Sequence, residues 1–168
     1  MPLRSDWSQR SCSMARGLDI LGDPWSILVL REVFFGNGRF DAMKSRLEVA
    51  DSVLTKRLAG LVESGLLARK AYDDGGRTRH EYVLTPKGED ALPVLNAVTI
   101  WAEKHLPAPS DQAHLYVIHT GCGESTTSAD TCTRCGERLT AANTSWHSRS
   151  RSDQPIRLST ASGTGAVS

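Results

Sequence analysis

The chain has no apolar run long enough for a membrane span. Its longest apolar stretch lies near Ile27–Leu30 in a sequence of 168 residues, far short of the ~20 residues that cross a bilayer. The N-terminus, Met1-Pro-Leu-Arg-Ser-Asp-Trp7, lacks a basic start followed by an apolar stretch, so no secretory leader is expected. A soluble cytoplasmic protein is the expectation. Excess charge is also scarce: 20 Lys and Arg stand against 19 Asp and Glu, a net +1. That excludes a globally basic, histone-like mode of nucleic-acid binding but leaves room for a local basic face. Four cysteines are too few for a disulfide scaffold. Three of them, Cys122, Cys132 and Cys135, cluster, and in a reducing compartment such a cluster reads as metal-binding first. No phosphate loop, nucleophile elbow or framed acid–base pair is present, so an enzyme is not expected. His80, His105 and His114 read as solvated or structural.

What the chain does have is a sequence of helix signals. Ser11 stands as a cap before Met14, Leu18 and Leu21 at helical spacing, and Gly22 stops that helix. Asp23-Pro24 restarts it, with Asp as cap and Pro at the first helical position. The next helix, Trp25–Phe35, is apolar all round and is expected to be buried. Gly36-Asn37-Gly38 makes a turn, Asp41–Leu47 a third helix, and a fourth runs from a capping Asp51 to Ser64, closed by Gly65. Strands Leu66–Tyr72 and Arg79–Leu84 flank a turn-rich Asp73–Thr78 loop. Thr85-Pro86 opens a long helix to His105, with Pro93 as an internal kink. The domains expected are a flexible N-terminus (1–11), a first domain (12–106), a small module (107–147) and a disordered Ser/Thr/Gly/Arg-rich tail (148–168).

Helix, helix, turn, helix, helix, strand, loop, strand, helix is the order of a winged helix-turn-helix. In the fourth helix Leu54, Leu58, Leu61 and Val62 form one stripe, and Ser52, Thr55, Lys56 and Ala59 the other. Ser52, Thr55, Lys56 and Arg57 stand in its first two turns, the part that enters a major groove. Arg77 and Arg79 lie near the tip of the wing, within reach of an adjacent groove or its backbone. Between Asp51 and Arg79 there are six cationic and four acidic side chains. That excess is slight, so the element order carries the DNA-binding expectation more than the charge does.

Several motifs stand in order along this stretch. They are Cys12-Ser-Met-Ala-Arg-Gly-Leu-Asp-Ile-Leu-Gly-Asp-Pro-Trp25, Leu28-Val-Leu-Arg-Glu32, Gly38-Arg-Phe40, Val53-Leu-Thr-Lys-Arg-Leu58, Glu63-Ser-Gly-Leu-Leu67, Glu81-Tyr-Val-Leu-Thr-Pro-Lys-Gly88 and Trp101. Through them, Cys12 to about Leu106 resembles the HxlR-type branch of the MarR-like bacterial transcription regulators. Pro24 departs from that pattern, where Lys is more usual. The resemblance implies a homodimer paired through the first helix and the long helix, with Arg39 placed near the DNA backbone. Dimerisation also makes independent sense, because one wing and one helix cover only half a palindromic operator. Leu92, Leu95, Val98 and Trp101 would supply apolar area for pairing, or else pack within their own chain. The fold expected is therefore α+β, mainly α: a winged helix-turn-helix with a long dimerisation helix, then a small zinc-ribbon-like module.

That module repeats one frame. His119-Thr-Gly-Cys122-Gly-Glu124 and Cys132-Thr-Arg-Cys135-Gly-Glu137 both read ligand, two residues, Cys, Gly, Glu. Two such knuckles facing each other give a tetrahedral Cys₃His site for structural zinc. Iron, a metal-free module and a Cys132–Cys135 redox pair are the other readings, and His147 rivals His119 as fourth ligand. Zinc deaminases also use Cys-x-x-Cys, but they need an upstream His-x-Glu and a Pro before the first Cys, and both are missing here. Cys12 lies apart, at a helix start with Arg16 one turn on. It is a candidate redox or electrophile sensor, or simply a small buried apolar residue. The function expected is a homodimeric, sequence-specific regulator of transcription, a repressor responding to oxidant, electrophile or a small-molecule effector. The alternative is a protein-interaction module that docks a partner through the winged helix and the knuckle.

Overall fold

The computed structural model describes residues 6–162. Expectations for residues 1–5 and 163–168 lie outside the described residues. The chain forms two compact units: residues up to Val33 with Asn37–Val83, and Phe34–Gly36 with Leu84 onward. No helix among the described residues is long and apolar enough to cross a membrane.

The first unit holds α1 (Ser13–Leu21), α2 (Pro24–Phe34, less its last residue), α3 (Phe40–Leu47), α4 (Asp51–Glu63), β1 (Leu67–Asp74) and β2 (Arg77–Leu84, less its last residue). Asp23 caps α2 as expected, its Oδ1 accepting from Trp25 N–H at 2.9 Å, with Pro24 opening the helix. Two other caps differ from expectation. Cys12, not Ser11, holds the cap position of α1. Ala50, not Asp51, caps α4, while Asp51 is its first helical residue and pairs with Lys44 of α3 at 2.7 Å. That cross-turn ion pair, together with the helix dipole, gives an acid in the first turn its use. The α3–α4 turn passes through Glu48 in the left-handed region, φ 51°. Gly65 closes α4 at φ 76°, with Leu66 N–H reaching back to Leu61 C=O at 2.9 Å.

Val29, Leu30 and Val33 of α2, Met43 and Leu47 of α3, and Leu54, Leu58 and Leu61 of α4 are buried. Ile27 and Leu28 are only half-buried, so α2 is not enclosed on every side. Its buried polar residues are Ser26 and Glu32, and Glu32 is fully inaccessible. Arg31 donates to its Oε1 at 2.9 and 3.2 Å and Asn37 Nδ2 to its Oε2 at 3.1 Å, so the carboxylate fastens the following turn to the helix. The wing turn is tighter than expected. Gly75 and Gly76 (φ 62° and 86°) make the whole reversal, because a right-twisted hairpin needs positive φ at both central positions. Gly38 lies against β2, accepting from Tyr82 N–H at 2.8 Å, and a Cβ there would run into the Tyr82 carbonyl. Arg39 bridges to Glu81 beside it.

The second unit holds α5 (Pro86–Glu89), α6 (Leu92–His105), β3 (Tyr116–His119), β4 (Glu124–Ser125), a 3₁₀ turn (Ala141–Asn143), β5 (Thr144–His147) and β6 (Ile156–Arg157). Thr85 caps α5, its hydroxyl accepting from Gly88 N–H at 3.0 Å. The segment 86–105 is two helices rather than one kinked helix. Pro93 has no N–H to donate, so α5 ends and α6 restarts with Pro93 in its first turn. The strands form one antiparallel sheet in the order β4-β3-β5-β6, with Val117 opposite Trp146 and His119 opposite Thr144. The boundary expected near 107 falls inside this unit, for α6 packs on β3. Nor are residues 148–162 a featureless tail. β6 pairs with β5, Leu158 is buried, and Ser159 N–H donates to Phe34 C=O at 2.8 Å. Two alternating residues are too short a signal to read as a strand, and ladder hydrogen bonds to β5 supply what apolar content does not.

Candidate metal centre and nucleic-acid interface

The two knuckles adopt the same backbone. Gly123 N–H bonds His119 C=O at 2.8 Å, and Gly136 N–H bonds Cys132 C=O at 2.9 Å, four residues apart in each. Both glycines sit in the left-handed region, φ 69° and 77°, which a Cβ resists. Gly121 is required for another reason: a Cβ there would come within 2.8 Å of His119 Cε1.

These turns bring His119, Cys122, Cys132 and Cys135 together, with all ligand atoms within 4.8 Å of one another. Nδ1 of His119 lies 3.3 Å from Cys122 Sγ and 3.4 Å from Cys135 Sγ, and the Cys122 and Cys132 sulfurs are 3.5 Å apart. Zinc bonds of ~2.3 Å to sulfur and ~2.0 Å to nitrogen put tetrahedral ligands roughly 3.5–3.8 Å apart. The donor set therefore fits a tetrahedral ion, and this cluster could hold one. His119 is 2% exposed. Its Nε2 faces Glu137 Oε2 at 3.3 Å, though without good hydrogen-bond geometry. The sequence points to the four clustered side chains but not to this carboxylate, although Glu recurs in the frame. Backbone N–H groups of Cys135 and Arg134 aim at the Cys132 sulfur and pull its thiol down to about 6. At Cys122 the Glu124 N–H pulls down, but burial and the neighbouring thiols outweigh it and the thiol is raised. Sulfurs this close cannot all ionise without a cation between them. His147, the rival ligand, is on β5 and outside the cluster.

On α4, Ser52, Thr55, Lys56 and Ala59 are exposed opposite buried Leu54, Leu58 and Leu61. Arg57 differs from them. Its Nη2 binds Asp23 Oδ2 at 2.6 Å, and its side chain is only 19% exposed, so it ties α4 to the start of α2. Arg39 is exposed, with its guanidinium 4.4 Å over the Tyr72 ring of β1. Arg77 is exposed at the wing tip, while Arg79 is held by Asp74 at 3.0 Å and Asp41 at 3.7 Å. Leu92 and Leu95 are buried in their own unit and offer no area to a partner, whereas Val98 and Trp101 are 54% and 57% exposed. Spacing alone could not separate the inner from the outer face of α6, because β3 and β5 come from distant sequence. Cys12 is exposed rather than buried. The Arg16 guanidinium is bonded to the Arg10 and Ser11 carbonyls at 2.6 and 3.0 Å.

Comparison with known proteins agrees with this geometry. An HTH-type transcriptional regulator of Mycobacterium tuberculosis is 37% identical over 131 residues, 78% of this chain and 82% of its own. A stretch of that length runs past residue 110 wherever it begins, so the likeness extends beyond α6. The solved structure of PA1607, described as a transcription factor, superposes with a TM-score of 0.66 at 33% identity, covering 80% of this chain and 93% of that one. PA1374 of Pseudomonas aeruginosa, described likewise, gives a TM-score of 0.50 at 34% identity over 76% and 86%. The model of the HxlR-like helix-turn-helix family matches residues 20–110, and the chain belongs to that family of transcriptional regulators, which are not enzymes.

Proposed function

We propose that the chain works as a homodimer that binds a palindromic operator and represses by occupying it. The observation that carries this reading is the face of α4. Ser52, Thr55 and Lys56 are exposed together on its first two turns, as base and phosphate contacts in a major groove require. Arg39 and Arg77 would hold the DNA backbone. The partner face is the stripe of α6 that its own unit leaves uncovered: Val94, Val98 and Trp101, at one-turn spacing. On α1, Met14 and Leu18 are exposed as well. Footprinting on the DNA upstream of the protein's own gene tests the whole reading, with two protected half-sites about 34–36 Å apart as the expected result. Trp101→Asp is expected to sediment as a monomer and to lose the footprint. A dimeric Trp101→Asp would move the interface elsewhere.

The ion we assign to the His/Cys₃ centre is structural zinc, held by His119 Nδ1, Cys122, Cys132 and Cys135. Four protein ligands close the tetrahedron and leave no open position for catalysis. Zinc supplies the link between two knuckles that have little apolar core of their own. Cys12 is the candidate sensor, being an exposed thiol at the start of α1. With zinc loaded, alkylation is expected to weaken DNA binding in the parent and to leave Cys12→Ser unaffected. Equal responses in both proteins would remove Cys12 from the account.

A further inference from the structure

Resting on the zinc reading above, we propose that Asn96 is the positioning residue through which the His/Cys₃ centre braces α6. Asn96 is fully buried on the inner face of α6, where the helix pattern calls for an apolar side chain. Both ends of its amide are used. Oδ1 accepts from the Trp146 indole N–H at 2.9 Å, and Nδ2 donates to the Ala129 carbonyl at 2.9 Å.

Each bond leads to a part of the chain that the metal ligands position. Trp146 lies on β5 opposite Val117 of β3, and β3 ends in the ligand His119, which pairs with Thr144 of β5. Ala129 lies in the segment joining the two knuckles, three residues before the ligand Cys132. That segment is folded around Thr126, whose Oγ1 accepts from Ser128 and Thr133 N–H at 3.2 Å each and donates to Thr131 C=O at 3.1 Å. Trp146 is itself 1% exposed and ringed by Phe34 and Phe35 at centroid distances of 5.6 and 5.2 Å.

A buried amide adds little net stability when paired and costs much when unpaired. Its effect is therefore to make α6 sensitive to whether both partners are in place. With the ion bound, the strand and the segment between the knuckles are fixed and the amide is satisfied. Without it, both partners drift, and α6 keeps a buried donor and acceptor with nothing to bind. The exposed stripe Val94, Val98 and Trp101 lies on this same helix, so zinc loading sets the order of the proposed partner face.

Backbone hydrogen exchange of α6 in the full-length protein tests this, read beside the zinc content of each sample. In the parent, removing zinc with a chelator is expected to speed α6 exchange by about 10-fold or more, the equivalent of unpaired buried polar groups. Asn96→Leu is expected to hold one zinc per chain, and zinc removal should speed its α6 exchange several-fold less than in the parent, the remainder reflecting lost packing of Leu92 and Leu95. Trp146→Phe, which keeps an aromatic side chain but loses the indole N–H and so one of the two bonds, should show part of the same loss of coupling and serves if Asn96→Leu fails to fold. Parent protein that binds zinc but has a zinc-independent α6 would overturn the inference alone, as would full zinc dependence in both variants. Parent protein that binds no zinc would overturn the metal reading as well.

Discussion

Cys132→Ser is expected to leave the sheet of the second unit unfolded. Cys132 is the buried member of the three thiols, and its loss opens the tetrahedron from inside. Structural zinc contributes roughly 10–16 kcal/mol in small zinc modules at neutral pH, against about 5–15 kcal/mol for the whole stability of an ordinary domain. The residues beyond α6 cannot compensate. Their buried apolar side chains are few, chiefly Val117, Leu139, Trp146 and Leu158, and β4 and β6 are two residues each. The variant should hold no stoichiometric zinc and lose exchange protection in β3 and β5. Chelation under reducing conditions should do the same to the parent. A zinc-free protein with full protection of these strands would show that the knuckles fold on packing alone.

Two neighbouring cations on α4 should give opposite results. Lys56→Ala removes an exposed side chain with no buried role, so thermal stability should hold within about 0.5 kcal/mol while DNA affinity falls by about 1–3 kcal/mol, near 5- to 150-fold. Adding Ser52→Ala and Thr55→Ala should deepen that loss. Arg57→Ala breaks a largely buried pair with Asp23 whose other oxygen caps α2. Its cost should fall on stability first, about 1.5–3 kcal/mol for a charged hydrogen bond, read as a lowered melting temperature. Folded Arg57→Ala that loses DNA binding without losing stability would return Arg57 to the DNA face.

The difference between those two residues shows where sequence reading stops. Helix starts marked by a cap and a proline, Asp23-Pro24 and Thr85-Pro86, were legible because the signal is local. So was the stripe of α4, a matter of period, and so was the metal frame, where ligand spacing and glycine come as a unit. Arg57 and Asp51 read as surface and cap because their partners, Asp23 and Lys44, lie in other helices. For Leu92 and Leu95 the sequence leaves pairing and packing within the chain both open, because the strands of their own unit come some 25–50 residues further on. Asn96 gave no signal at all, since a single polar residue in an apolar pattern acquires meaning only beside Trp146 and Ala129. Pro93 does give a signal, of a kink, but with no N–H it ends one helix and opens the next instead.

Sequence-selective DNA binding is tested by titrating zinc-loaded protein against DNA from upstream of its own gene and against the same fragment scrambled, at about 50 and 200 mM salt. The expected result is tighter binding to the native fragment, by about 10³-fold or more, with affinity falling steeply between the two salt concentrations as phosphate contacts release counterions. Equal affinity for both fragments, or no binding at the lower salt by a folded and zinc-loaded sample, would contradict it and turn the winged helix into a surface for protein partners.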